Sequence, residues 1–174
     1  MKHHGHLRRV LLCALFAALT CLTTAVVSIP APLVGYIHLG DCMVLCAAFL
    51  LGPVYGVAAA GIGSALADLL LAYTVYAPAT LVIKALFALV AVLLARPLRR
   101  LPPSIAHAIG GVAGGTVMVL GYFVYEALAL GYGLAAAANI PLNLVQAGFG
   151  VVASTLLVAL LRKIPPIQNI LADK

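Results

Sequence analysis

The chain has 174 residues, of which 65% are hydrophobic and only 8% are charged, and its mean hydropathy is +1.19. These values exclude an ordinary soluble domain and predict one integral membrane domain, residues 1–174, in contact with the lipid bilayer. The net charge of +6 does not indicate a nucleic-acid partner, because nine of the ten Lys and Arg residues lie at the ends of apolar segments.

The first nine residues form a basic head before the first apolar run, a pattern that is also typical of a secretory signal. The run continues through Val27 into a Ser-Ile-Pro-Ala-Pro turn without a small-x-small cleavage site, so we interpret it as a retained helix. His3, His4 and His6 indicate a flexible cytosolic head rather than a metal site. The four cysteines lack C-x-x-C spacing and are expected to be buried, and we expect no cofactor.

Six apolar segments follow one another along the chain, and a spanning helix needs about 20 residues at a rise of about 1.5 Å each. The second segment is short and ends at Leu51-Gly52-Pro53, which predicts a tight hairpin with the third helix and places Pro53 in its first turn. The sequence thus predicts an all-α bundle of six transmembrane helices. Their expected ranges are 10–28, 39–51, 53–72, 78–95, 104–130 and 141–161.

The positions of Lys and Arg predict the orientation of the bundle. The connections 29–38, 73–77 and 131–140 carry no Lys or Arg. The other side carries nearly all of them, and the Pro165-Pro166 break follows the last helix there. These residues are Lys2, Arg8, Arg9, Arg96, Arg99, Arg100, Arg162, Lys163 and Lys174. Both termini are therefore expected in the cytoplasm, in the plasma membrane of a prokaryote.

The charged residues inside the predicted spans all lie in the outer half of the membrane. An ionised group at mid-bilayer costs at least about 2.5 to 3.5 kcal/mol, so such groups are usually paired or face a functional cavity. Their shared depth predicts a polar pocket that opens outward and binds a substrate, with tyrosines on the same side to stack on a planar ring. The expected substrate-binding residues are Glu126, Asn143, Gln146, Lys84, Asp68, Asp41, Tyr36 and Tyr122.

Structural roles remain open for several of these residues. Asp68 and Lys84 lie at matching depth and fit a structural ion pair as well as a ligand site. Asp41 begins a helix and fits an N-cap. Asn143 and Gln146 lie one turn apart, which also fits hydrogen bonds between helices.

The remaining polar groups have their own alternatives. Glu126 has no obvious partner in the sequence, which favours ligand contact. His38 is expected to be a solvated loop residue, with a gating role as the alternative. Tyr73, Tyr76 and Tyr132 fit an interfacial aromatic belt equally well.

Two catalytic chemistries find little support. The chain has no G-x-x-x-x-G-K-[ST] phosphate loop, so we do not expect it to hydrolyse ATP. Ser64, between Gly63 and Ala65, is the nearest match to an intramembrane nucleophile, but no His shares its segment. The main alternative to a transporter subunit driven by partners is a self-sufficient, proton-coupled secondary carrier for a small polar molecule, with Asp68 or Glu126 as a proton relay.

Four runs of residues between positions 35 and 84 form a distinctive pattern. They are Gly35-Tyr36-Ile37-His38-Leu39-Gly40-Asp41, Leu50-Leu51-Gly52-Pro53-Val54-Tyr55-Gly56, Gly61-Ile62-Gly63-Ser64-Ala65-Leu66-Ala67-Asp68 and Tyr76-Ala77-Pro78-Ala79-Thr80-Leu81-Val82-Ile83-Lys84. This pattern resembles the substrate-binding S component of energy-coupling factor (ECF) transporters, riboflavin-type family. The resemblance implies capture of a vitamin or vitamin precursor on the outer face, with a transmembrane coupling subunit and two cytosolic ATPases as partners.

The same resemblance implies a docking surface and a lid. Small residues four apart on the first helix would contact the coupling subunit, and Ala14 with Ala18 match, while Ala17 with Cys21 offer a second register. The 29–38 connection would cover the pocket. Family members bind riboflavin, pyridoxine-like compounds or pyrimidine precursors of thiamine. Here the absence of Trp disfavours a large flavin, and a smaller ring with hydroxyl or amino groups suits the pocket.

Overall fold

The computed structural model describes residues 2–31, 35–98 and 100–164, with the side chains of residues 2–4 left aside. Pro32, Arg99, Pro165, Pro166 and Lys174, which entered the predictions above, lie outside the described residues. The described elements are mostly helical. In chain order they are α1 (Lys2–Val26), β1 (Ser28–Pro30), β2 (Tyr36–His38), α2 (Asp41–Leu70), α3 (Ala77–Ala95), α4 (Pro103–Val124), a π-helical turn (Tyr125–Ala129), a 3-10 helix (Gly133–Asn139) and α5 (Ile140–Leu161).

Within the described residues, five helical segments are long and apolar enough to cross a membrane: 5–26, 41–70, 77–95, 103–129 and 133–161. Many large apolar side chains on their outer faces are exposed, including Leu11, Leu81, Val112 and Leu156. Exposure of so much apolar surface to water would be unfavourable, whereas contact of this surface with lipid tails would not. The all-helical membrane class expected from the sequence is confirmed.

The 30-residue segment α2 folds back on itself at Gly52. Gly52 has φ +81°, a left-handed backbone conformation that glycine adopts at little cost. Gly56 in the second half packs so tightly against Ala47 in the first half that a Cβ on Gly56 would overlap the Ala47 carbonyl. The two halves, 41–51 and 53–70, therefore lie side by side as the hairpin predicted from Leu51-Gly52-Pro53.

The fold-back gives the bundle two distinct ends. We call the end with the β-hairpin and the connections 71–76 and 130–139 the upper end, and the end with the Gly52 turn and the connection 96–102 the lower end. α2 packs against α1, α3 and α5, and α4 packs between α3 and α5. The core contains Leu45, Phe87 and Met118, all fully buried.

One local prediction is wrong, and two regions have local features that were not predicted. α1 begins at Lys2 rather than in a flexible head, because helix propagation adds residues cheaply and His6 contacts the Tyr55 hydroxyl (2.8 Å). Two short strands on either side of residues 32–34, β1 and β2, pair in antiparallel fashion, with Ser28 opposite His38, and are called the β-hairpin. The fifth predicted helix, 104–130, corresponds to one helical segment, 103–129, whose last five residues form the π-helical turn.

Candidate functional site

A pocket at the upper end gathers side chains from every major element except α1. The β-hairpin contributes Tyr36 and His38, and the later elements contribute the remaining polar groups. The pocket thus contains six of the eight residues predicted to bind substrate. The later lining residues are Asp68, Tyr76, Thr80, Tyr122, Glu126, Asn139, Leu142, Asn143 and Gln146.

Lys84 and Asp41 form a fully buried ion pair behind the pocket, each with no exposed side-chain surface. The expected pair of Lys84 with Asp68 is therefore wrong. The N-cap role of Asp41 is also wrong, because Gly40 occupies the cap position and no side chain caps the helix. Lys84 Nζ also lies 2.9 Å from Met118 Sδ and 5.5 Å from the centre of the Tyr122 ring. These contacts enclose both charges.

Gln146 ties this ion pair to the β-hairpin. Its Nε2 donates to Asp41 Oδ2 (2.8 Å), and its Oε1 accepts from the backbone N–H of His38 (2.9 Å). Both functional atoms of the amide are thus engaged in joining α5, α2 and β2. Asn143, one turn earlier on α5, lies at the pocket wall and is only partly buried.

Asp68, near the end of α2, accepts a short hydrogen bond from the Tyr36 hydroxyl (2.6 Å) through Oδ1. Burial and the neighbouring Asp68 carboxylate raise the pKa of Tyr36, so the phenol remains protonated and donates. Asp68 Oδ2 is buried and has no hydrogen-bond partner among the described residues. Asp68 therefore keeps one acceptor directed at the pocket.

Glu126 has two partners that its sequence environment did not reveal. The Tyr76 hydroxyl donates to Oε1 (3.2 Å), and Asn139 Nδ2 donates to Oε2 (3.0 Å). The π-helical turn carries Glu126, and such turns are common where a helix orients a functional side chain. Its carboxylate is buried and held at the pocket by neutral donors.

Tyrosine rings form much of the wall of the pocket. Tyr36 lies 4.7 Å from Tyr73 between ring centres, and Tyr76 lies 6.5 Å from Tyr122. The hydroxyl of Tyr122 shares a hydrogen bond with Thr80 (3.1 Å). Thr80 was missed by the sequence analysis, although its position one turn before Lys84 on α3 was an available signal.

His38 is buried, so the prediction of a solvated loop residue is wrong. Its Nδ1 accepts from the backbone N–H of Gly40 (3.0 Å) and lies 3.4 Å from the Thr24 hydroxyl. Burial and the positive charge of Lys84 lower the pKa of His38 to about 3, so the imidazole is neutral at pH 7. Neutral His38 fixes the end of the β-hairpin to α1 and to the start of α2.

The β-hairpin closes the pocket. The open space inside is about 30 Å³, which holds roughly two water molecules, whereas sites for small organic ligands measure about 300 Å³ or more. Tyr36 and His38 are the hairpin residues whose hydrogen bonds to Asp68 and Gln146 hold this closure.

Two further groups lie away from the pocket. Ala14 and Ala18 are exposed on one face of α1, whereas Ala17 and Cys21, the second register, are buried in the bundle. Ser64 is buried in α2, and its hydroxyl has no hydrogen-bond partner within residues 2–31, 35–98 and 100–164.

The comparisons with known proteins agree with this architecture. The family model for the ECF-type riboflavin transporter, S component, matches residues 6–163. The chain belongs to this family. A protein of Pyrococcus woesei described as "Uncharacterized protein in gap 3'region" is 37% identical over 131 residues, which cover 75% of this chain and 85% of that protein.

Membership of the ECF S component family sets the class of activity. S components are substrate-binding subunits of vitamin-type transporters, which work with an ECF module in the membrane. The chain is thus a component of a membrane transporter and not an enzyme, which removes the alternative of catalysis at Ser64.

Proposed function

We propose that this S component captures a vitamin or vitamin precursor in the upper-end pocket and passes it inward, with ATP hydrolysis supplied by two cytosolic ATPases through a transmembrane coupling subunit. The protein resides in the plasma membrane of a prokaryote. The two halves of α2 cross in opposite directions, so that the chain makes six passages and both termini are cytoplasmic. The positions of Arg96, Arg100 and Lys163 at the lower end support this orientation.

The observation that carries the proposal is the convergence of two buried carboxylates, Asp68 and Glu126, on one closed pocket. Each carboxylate accepts a hydrogen bond from a neutral donor of the protein. The second oxygen of Asp68, Oδ2, has no hydrogen-bond donor among the described residues. Buried acceptors of this kind are costly unless a donor completes them. A ligand that presents amino or hydroxyl donors would do so.

The ligand that fits best is a small ring rather than an extended flavin. Rings of Tyr36, Tyr76 and Tyr122 offer stacking faces, and the chain contains no Trp for a larger aromatic system. Pyridoxine-like compounds and pyrimidine precursors of thiamine combine a single ring with hydroxyl or amino groups. Riboflavin remains the third class to test.

The hydrogen bonds suggest how Tyr36 takes part in binding. Its hydroxyl donates to Asp68 Oδ1 in the closed pocket. A ligand donor would replace Tyr36 or use Oδ2 of the same carboxylate. The β-hairpin then acts as a lid whose opening exposes Asp68.

Partner docking is assigned to the exposed face of α1. Ala14 and Ala18 lie one turn apart with no neighbouring helix covering them in the described structure. Small residues four apart allow close helix approach in a membrane. The coupling subunit would pack there, and Ala17 with Cys21 are unsuitable because they already face α2.

The decisive experiment is mass spectrometry of the small molecule that co-purifies with the protein, followed by calorimetric titration with that compound. We expect a ring compound with amino or hydroxyl groups and a 1:1 stoichiometry. A protein that binds none of riboflavin, pyridoxine-like compounds and thiamine-precursor pyrimidines would contradict the proposal.

A second experiment separates this function from a proton-coupled carrier. Vesicles that contain this protein alone should not accumulate substrate when a proton gradient is imposed. Robust gradient-driven uptake without partners would overturn the proposed dependence on an ECF module.

A further inference from the structure

The lower end of the bundle contains a second cavity, and its volume of about 310 Å³ far exceeds the space left in the upper pocket. It lies where the Gly52 turn, the end of α3, the start of α4 and the residue after α5 meet. A cavity of this size lies within the range of sites that bind organic ligands. Its lining includes Phe49, Gly52, Arg96, Leu101, His107 and Arg162.

The polar lining of this cavity consists of two arginines and a histidine. Arg162 Nη2 lies 3.4 Å from Nε2 of His107, and the His107 ring stacks on Phe49 with 4.2 Å between ring centres. Burial lowers the pKa of Arg162, but a guanidinium retains its charge at neutral pH. Arg96 reaches the rim from the end of α3.

The distribution of charge makes this end of the molecule positive. The three carboxylates in the part of the chain that the structure describes, Asp41, Asp68 and Glu126, all lie at the upper end. The N-terminal end of α4, which carries partial positive charge, also lies at the cavity through Pro103 and Ala106. An anion at this position would meet attraction from several directions.

We infer that this lower cavity binds a phosphate group, carried by the headgroup of an anionic phospholipid or present as a free ion. Guanidinium groups match the geometry of phosphate oxygens and are weakly hydrated, so Arg96 and Arg162 can approach such an anion from two helices. Basic pockets between helix ends are suited to anionic headgroups. The apolar lining, with Val92 and Ala95, would contact the adjoining lipid glycerol and upper acyl carbons.

The site is independent of the upper pocket, and its test uses a charge-matched pair of double variants. R96Q/R162Q removes two charges that line the cavity, whereas R100Q/K163Q removes two exposed charges next to it in the chain. Native mass spectrometry of the purified full chain would be titrated with phosphatidylglycerol, with phosphatidylcholine as the zwitterionic lipid. Inorganic phosphate forms a separate arm.

We expect wild type and R100Q/K163Q to bind phosphatidylglycerol equally well, and both to prefer it to phosphatidylcholine. R96Q/R162Q should bind phosphatidylglycerol at least roughly tenfold more weakly than wild type. Displacement of the lipid by millimolar inorganic phosphate would assign the site to the free ion, and retention would assign it to the headgroup. Equal losses in the two double variants, or no preference for the anionic lipid, would overturn the inference.

A milder variant keeps the test valid if R96Q/R162Q fails to fold. Arg96 is exposed, so R96Q should leave the thermal unfolding curve unchanged. Its affinity for phosphatidylglycerol should fall severalfold relative to R100Q. Equal affinities of R96Q and R100Q in folded protein would contradict the site.

Discussion

The two ends of the bundle differ in charge and in packing. At the upper end, Asp41, Asp68 and Glu126 are buried under a β-hairpin that leaves about 30 Å³ of open space. At the lower end, Arg96, His107 and Arg162 line a cavity of about 310 Å³. The upper end has little internal space and is rich in acceptors, whereas the lower end has a larger cavity lined by two arginines.

The difference follows from where each set of charges lies along the helices. Asp41, Asp68 and Glu126 lie within apolar helices, where burial of an unpaired ion costs about 3 kcal/mol on insertion scales. Each of these carboxylates therefore has a partner in the protein, which is Lys84, a tyrosine hydroxyl or a side-chain amide. Arg96 and Arg162 lie just past helix ends, where water and headgroups can reach them. The buried charges of the upper end thus need specific partners within the protein, whereas the arginines of the lower end tolerate a larger cavity beside them.

The largest expected effect tests whether ligand capture and partner docking are separable. A14L or A18L should reduce uptake by the assembled transporter to background, because added bulk on α1 prevents close helix contact, while the dissociation constant for ligand stays unchanged. Radiolabelled uptake and calorimetry measure the two quantities. T116L, which adds bulk to an exposed face of α4, is the control and should retain uptake. Lost ligand affinity in A14L would contradict the docking assignment.

The next effect tests whether the buried pair of Asp41 and Lys84 is structural. K84M should lower the free energy of unfolding by about 3 to 5 kcal/mol, because it leaves the Asp41 carboxylate buried without its counter-ion. D41N/K84M should recover most of that loss, since both charges are then absent. Thermal unfolding in detergent measures both variants. A K84M protein as stable as wild type, with weakened ligand binding alone, would instead make Lys84 a ligand contact.

A smaller effect is expected at the carboxylates that face the pocket. D68N and E126Q should each weaken ligand binding about tenfold to a hundredfold, because a hydrogen bond to a charged acceptor contributes about 1.5 to 3 kcal/mol. Calorimetric titration with the co-purified compound measures the change, and R100Q at the lower end should bind like wild type. An unchanged dissociation constant for E126Q would leave Glu126 with a structural role only.

The smallest effect concerns His38 and pH. Its pKa in the folded protein is about 3, below the unfolded value of about 6.5, so the unfolded chain binds more protons between these values. The contribution of His38 to stability is therefore complete above pH 6.5 and is lost as the pH falls. We expect the unfolding temperature of wild type to drop between pH 7.5 and pH 5.

H38N is the matched variant for this measurement, because its Oδ1 can accept from the Gly40 N–H in place of Nδ1 without titrating. Its unfolding temperature should vary less with pH than that of wild type, because the amide of Asn does not titrate. Identical pH dependences would exclude His38 as the sensitive group.

Depth in the membrane was the part of the site that the sequence could predict. Helix ends and a constant rise per residue place Asp68, Lys84 and Glu126 near the upper end, and the structure brings all three there. Depth does not give the rotation of each helix about its axis. Lys84 could therefore reach either Asp41 or Asp68, and the sequence analysis considered only Asp68 as its possible partner.

The β-hairpin illustrates a second limit. Residues 29–38 carry two prolines and a glycine, which are typical of a loop, and no local pattern indicates that Ser28 pairs with His38. Burial of His38 depends on Gln146, which lies more than 100 residues later in the chain. Such a contact arises only when α5 packs against α2.

By itself the sequence determined the helical membrane class, the turn at Gly52, the sidedness of the charges and the family, because each depends on composition or on local backbone chemistry. The tertiary structure decided which carboxylate pairs with Lys84, how the hairpin closes over Asp68, and that Arg96 and Arg162 share one cavity. Those features depend on helix rotation and on contacts between distant segments, which only the packed bundle specifies.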